Sequence, residues 1–208
     1  MLKPALLFLL ITGAGSALAA EGGCPPAVPA PGQYGPYDYG DPADYTERLP
    51  IVEQYHLTAN VQNFKLENEN PPGAHLDYTL RAFPNHYRAL ELMMRLAEKE
   101  HTTRPSGANF SVECYFERAL NFRPKDAMVK MLYANYLHKK GHEKEALLQY
   151  EQALKLKPND PSINYNMGLV YFDTHDYDKS LEHAKAAYNA GFPLPGLRNK
   201  LQHAGKWH

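Results

Sequence analysis

Between Lys139 and Asp160 the chain reads KKGHEKEALLQYEQALKLKPND, with apolar residues three and four positions apart and charged residues in most of the gaps. That period predicts an amphipathic helix. Ala146 and Ala153 are seven residues apart, with Tyr150 between them, Gly141 before and Pro158 after. Seven residues make about two helical turns, so both alanines share one face. The same helical texture begins at Thr46. Short helices are expected over TERLPIVEQYH and TANVQNFKLE, the second with Thr58 as N-cap. ENENPPG breaks the chain at Pro71, Pro72 and Gly73. AHLDYTLRAFP predicts another short helix ending before Pro84, and NHYRALELMMRLAEKE a long one. HTTRPSGANFS reads as a loop, and VECYFERALNF resumes the helix before Pro124. No segment alternates with period two, so no sheet is expected.

The pattern repeats. Pro124 and Pro158 are 34 residues apart, as are Ala119 and Ala153, Leu120 and Leu154, and Phe116 and Tyr150. In the same register Ala153 maps onto Ala187, Ala134 onto Gly168, Leu147 onto Leu181, Tyr136 onto Val170 and Gly141 onto His175. A two-helix unit of this length, with small residues at fixed places and a terminal proline, resembles the tetratricopeptide repeat (TPR). The resemblance implies an all-α, TPR-type superhelix of helix pairs, with about three repeats and a capping helix. The best repeats span 127–160 and 161–193; His175 replaces the turn glycine in the second, and Ser180 its first packing alanine. An earlier unit runs from His86 to Pro124, with a loop inserted near Arg104 to Asn109. The array is expected over 85–208, after a partial repeat of short helices over 46–84, and PGLRNKLQHAGKW supplies the cap. More broadly, GPYDY, LDYTLRAFPNHYRAL and VECYFERAL resemble a family of exported bacterial TPR proteins, a likeness that supplies no activity.

In such repeats the first helices line a concave groove. The resemblance places Arg88, Arg95, Met131, Asn135, His138, Lys139, Tyr165, Leu169 and Phe172 there, with Glu91 and Lys99 beside them. This mixed set of cations, one amide and aromatics implies an extended protein or peptide partner, held by backbone hydrogen bonds and charge pairing. Ordinary exposed helix surface is the competing reading.

MLKPALLFLLITGAGSALAA, residues 1–20, has the basic, apolar and small-residue order of a secretory signal, with cleavage expected after Ala19 or Ala20. Its apolar run is too short to span a bilayer. Export to the periplasm follows as the expectation, with secretion or lipid anchoring as alternatives. Glu21 stands where a lipidation motif before Cys24 would need an aliphatic residue, and no transmembrane anchor is expected after cleavage. Residues 21–45 are rich in proline, glycine and tyrosine and predict an extended arm without helix. Tyr34, Tyr37, Tyr39 and Tyr45 imply that part of it lies against the folded body; a disordered tether is the alternative. Cys24 and Cys114 are the two cysteines. In an exported chain they read as a disulfide, with free thiols or an intermolecular bridge through Cys24 as alternatives.

The 208 residues are 44% hydrophobic and 22% charged with a formal net charge of −1, a globular composition without the basic footprint of a nucleic-acid binder. No metal site or cofactor is expected. The 10 histidines read as surface groups: His138 and His142 are separated by the helix-ending Gly141, and no zinc-protease or zinc-finger spacing occurs. Nucleophile elbows and phosphate loops are absent. Cys114, read as mid-helix beside Glu113 and Glu117, has the wrong surroundings for a reactive thiol. The expectation is a non-enzymatic interaction module or scaffold of the cell envelope. A structural protein that self-associates through its arm, and a metal-dependent accessory enzyme, are the alternatives.

Overall fold

The computed structural model of the protein describes residues 23–29 and 31–207; the leader read at residues 1–20 lies outside them. Among the described residues there are eleven helices and no strand. Three short helices come first: α1 (Pro42–Glu47), α2 (Leu49–His56) and α3 (Ala59–Gln62). Then follow α4 (Pro72–Ala82), α5 (Tyr87–Lys99), α6 (Val112–Phe122), α7 (Ala127–Lys139), α8 (Glu143–Leu156), α9 (Pro161–Asp173), α10 (Tyr177–Asn189) and α11 (Gly196–His203). Helices α5 and α6, α7 and α8, and α9 and α10 form antiparallel pairs, and each first helix packs on the first helix of the next pair. α4 precedes the first pair and packs on α5 and on the short helices α2 and α3, and α11 closes the last. This is the all-α helix-pair superhelix that the repeat spacing predicts.

The helix boundaries follow from short-range chemistry. Asp126 and Asp160 stand two residues after a proline and cap α7 and α9, each accepting two backbone N–H groups. His86 occupies the same place after Pro84, and its Nδ1 accepts the Ala89 N–H. After the first helices, His101, Gly141 and His175 all adopt positive φ, at 51°, 78° and 63°. His175 therefore keeps the left-handed cap that its glycine counterpart makes without steric cost. Ala134, Ala146 and Ala153 are fully buried, where helix backbones approach closely. A Cβ on Gly168 would meet Leu197 Cδ2 at 2.6 Å, so the capping helix needs that glycine. Ser180, buried in an alanine position, donates its hydroxyl to the Gly168 carbonyl at 2.8 Å and leaves no polar group unpaired. Replacing Ala153 with Leu is expected to overpack the α7–α8 pair and cost about 1–3 kcal/mol. A melting temperature equal to that of the native chain would contradict the packing.

The N-terminal arm lies on its own chain. Tyr34, Tyr37 and Tyr39 pack around Leu49, Val52, Ala82 and Phe83. The Tyr37 N–H donates to the Ala82 carbonyl at 2.8 Å, and the Tyr39 N–H to Asn85 Oδ1 at 3.0 Å. Buried Asn85 in turn donates to Asp38 and Asp126, and Arg123 closes on Asp38 at 2.6 Å. Nearer the start, Arg118 donates to the Pro25 and Pro26 carbonyls, and a disulfide joins Cys24 to Cys114 with Cα atoms 5.3 Å apart. Two expectations need correction. Helix α1 begins at Pro42, inside the stretch read as helix-free, because a proline at the first helical position gives up no hydrogen bond and Asp41 caps the turn. Cys114 lies in the first turn of α6 rather than mid-helix, with its N–H on the Ser111 cap.

Candidate partner-binding groove

Along one side of the array α5, α7 and α9 run next to one another, and they enclose a cavity of about 310 Å³. Its walls are Glu91, Met94 and Arg95 from α5, then Leu132, Asn135, His138 and Lys139 from α7, then Asn166 and Leu169 from α9, with Tyr150 at the base. Five residues expected in the groove therefore meet: Arg95, Asn135, His138, Lys139 and Leu169.

Asn135 is oriented by the core. The hydroxyl of Tyr150, 1% exposed, donates to Asn135 Oδ1. Burial pushes that hydroxyl well above the ordinary tyrosine range, so it stays a donor near neutral pH. With its oxygen engaged, the Asn135 amide nitrogen is left to donate into the cavity. The cations are not alike. Lys139 is paired with Glu98 at 2.7 Å, His138 with Asp173 at 3.2 Å, and Arg88, outside the cavity, with Glu91 at 3.1 Å. Arg95 has no carboxylate partner among the described residues; its guanidinium lies over the ring of Phe64, 5.7 Å from the centroid, and Lys99 shares that ring. The groove thus offers amide and guanidinium donors beside apolar Leu132, Met94 and Leu169, a combination suited to the carbonyls of an extended chain.

Other expected groove residues lie elsewhere. Met131 is buried, 7% exposed, and belongs to the core. Tyr165 and Phe172 pack with the cluster around the capping helix, Tyr165 stacking on Phe192 at 4.0 Å and Phe172 lying beneath Lys200. The position count fails at Met131, which α7 turns into the core, and at Tyr165 and Phe172, which pack against the cluster that α11 forms on the last repeat. The histidine reading also needs correction: His75 and His86 are buried, each hydrogen-bonded through both ring nitrogens. Single-residue patterns carried no sign of this, although His86 shares the cap register of Asp126 and Asp160. No group of three or more His, Cys, Asp or Glu side chains suited to a metal occurs among the described residues.

The fold and groove define a helix-pair repeat protein. Residues 134–174, from the middle of α7 to the end of α9, match the TPR repeat family. Over 64 residues the chain is 39% identical to the protein O-mannosyl-transferase TMTC1 of Homo sapiens, covering 31% of this chain and 7% of that protein. Over 51 residues it is 37% identical to the Hsp70-Hsp90 organising protein of Plasmodium falciparum (isolate 3D7), covering 24% of this chain and 9% of that protein. The matched stretches span less than a tenth of the length of either relative.

Proposed function

We propose that the protein is a non-enzymatic interaction module or scaffold of the cell envelope that binds an extended segment of a protein partner in the groove between α5, α7 and α9. The observation that carries this reading is the Asn135 amide, held by buried Tyr150 and aimed into a cavity shared with Arg95 and Leu169. TPR repeat proteins bind protein partners, and the concave side of a helix-pair array is its extended binding surface. The signal-like leader and the Cys24–Cys114 disulfide support export, to the periplasm in this reading. No helix among the described residues is long and apolar enough to cross a membrane. The tyrosines that an arm would need to engage a second copy are engaged on their own chain.

Asn135→Ala combined with Lys139→Glu is expected to abolish capture of the principal partner from the native envelope, read by affinity isolation and mass spectrometry. The Lys139–Glu98 pair is half-exposed and stabilises little, whereas Asn135→Ala leaves the buried Tyr150 hydroxyl without its acceptor at a cost of about 1–3 kcal/mol, so folding of the double variant is checked by circular dichroism before capture. Undiminished capture by a folded double variant would place the partner outside this groove.

A further inference from the structure

Helix α2 is fastened to α4 by a contact between two histidines. His56, the last residue of α2, faces His75 with their Nδ1 atoms 3.3 Å apart. His75 is 7% exposed, and its Nε2 lies 3.0 Å from the Glu67 carbonyl. That carbonyl only accepts, so His75 carries its proton on Nε2 and presents a bare Nδ1. The neighbouring nitrogen of His56 must then be the donor. The His56 ring also stacks on Tyr78, 3.8 Å between centroids and 13° from parallel. The pair has no third ligand among the described residues, and the Arg81 guanidinium, over the ring of Tyr78, disfavours a cation between the histidines. A shared proton accounts for the contact.

We propose that the His56–His75 pair is a proton-operated clasp that holds α2 on α4 while neutral and releases α2, with the seat of the N-terminal arm, on acidification. The geometry limits the protons the closed clasp accepts. A first extra proton goes to His56 Nε2 and leaves the hydrogen bond in place. A second would go to His75 Nδ1 and set two N–H groups against each other. In the open state both rings are free to take protons. Acid therefore favours opening by up to two protons, and the slope with pH can exceed that of one ordinary histidine.

The surroundings act in the same direction. Burial first, then His75 and Arg81, hold the His56 ring below the ordinary histidine range. The carboxylates nearby are engaged elsewhere: Asp77 with Arg81, Glu67 with the Thr58 hydroxyl, and Glu53 with His86 at the start of α5. A histidine whose folded-state value is depressed contributes stability above its unfolded value of about 6.5, and that contribution is lost as pH falls below it. α2 also carries Leu49 and Val52, which pack with Phe83 against the arm tyrosines, so its release uncovers that cluster.

The test is local, because half-buried His183 is also held below the ordinary range and moves global stability in the same direction. Native-state hydrogen exchange of the α2 amides, corrected for intrinsic rates, is to be compared at pH 7.5 and pH 5.5 in the full chain. Protection at Val52 and Leu57 is expected to fall about tenfold or more. In His56→Gln the side-chain amide still donates to His75 but takes up no proton, so only the His75 proton is left to drive opening and the fall should shrink several-fold. An unchanged wild-type protection, or an equal fall in His56→Gln, would overturn the clasp. Imidazole titration of the unaltered protein by NMR gives a second reading. The α2 amide shifts should follow the titration of the His56–His75 pair, and a midpoint shared with neither ring would likewise overturn it.

Discussion

Asp77→Ala is expected to lower the stability of the fold by about 1–3 kcal/mol for each buried donor it leaves without an acceptor, the solvent-accessible Arg81 adding little. Asp77 is 3% exposed and lies in α4, yet its carboxylate serves three parts of the chain. It accepts from Arg81 Nε at 3.1 Å one turn along the helix, and from the Asn109 N–H and Nδ2 at 3.3 and 2.9 Å in the inserted loop. It also accepts the hydroxyl of Tyr115 in α6, a side chain 1% exposed. Burial and the adjoining carboxylate push that hydroxyl far above the ordinary tyrosine range, so it remains a donor near neutral pH. Removing the carboxylate leaves a buried hydroxyl and an amide without acceptors. It also frees the loop that carries the chain from the first helix of the repeat to the second. Asp77→Asn keeps one acceptor oxygen and should cost less. Urea unfolding distinguishes the two: a lower midpoint at unchanged slope is expected for both, larger for alanine. Equal stability of Asp77→Ala and the native chain would contradict the role of Asp77 as the joint between α4 and α6.

The second large effect concerns the arm. Cys24→Ala with Cys114→Ala opens a loop of 90 residues, for which the chain-entropy account gives about 4–5 kcal/mol. Part of the arm should nonetheless stay in place. The Tyr37 and Tyr39 backbone bonds, the Asp38–Arg123 pair and the tyrosine cluster lie at the other end of the strap. The expected pattern is therefore graded: a lower melting temperature for the whole chain, with protease cleavage beginning between residues 25 and 33. The same loss should follow from a thiol reductant acting on the native protein. If oxidised and reduced protein melt together, the bridge contributes nothing to folding.

Repeat architecture was legible from local chemistry, because a helix pair is specified by short-range terms. The apolar period of α7–α10, the prolines before Asp126 and Asp160, the left-handed position at Gly141 and the small residues at Ala134 and Ala153 all act within one repeat, and the 34-residue spacing reads them out directly. The disulfide was a matter of arithmetic, since two cysteines allow one intramolecular pairing. The groove was legible in part. Arg95, Asn135, His138, Lys139 and Leu169 share one cavity because their positions recur on adjoining helices. Which of them is open to a ligand depends on side chains distant in sequence: Tyr150 turns the Asn135 amide, Glu98 neutralises Lys139, Asp173 engages His138 Nε2, and Phe64 sits under Arg95. The sequence alone determined that the helices of the repeats pair and which small residues lie between them, because those features follow from apolar period and the 34-residue spacing. Only the tertiary structure decided that α11 covers Tyr165 and Phe172, that the arm folds back onto Phe83 and Asn85, and that Asp77 and the His56–His75 pair hold the N-terminal end together. Those contacts join residues 19 to 47 positions apart that obey no repeat, and a buried polar group finds its partner only when packing has set both in place.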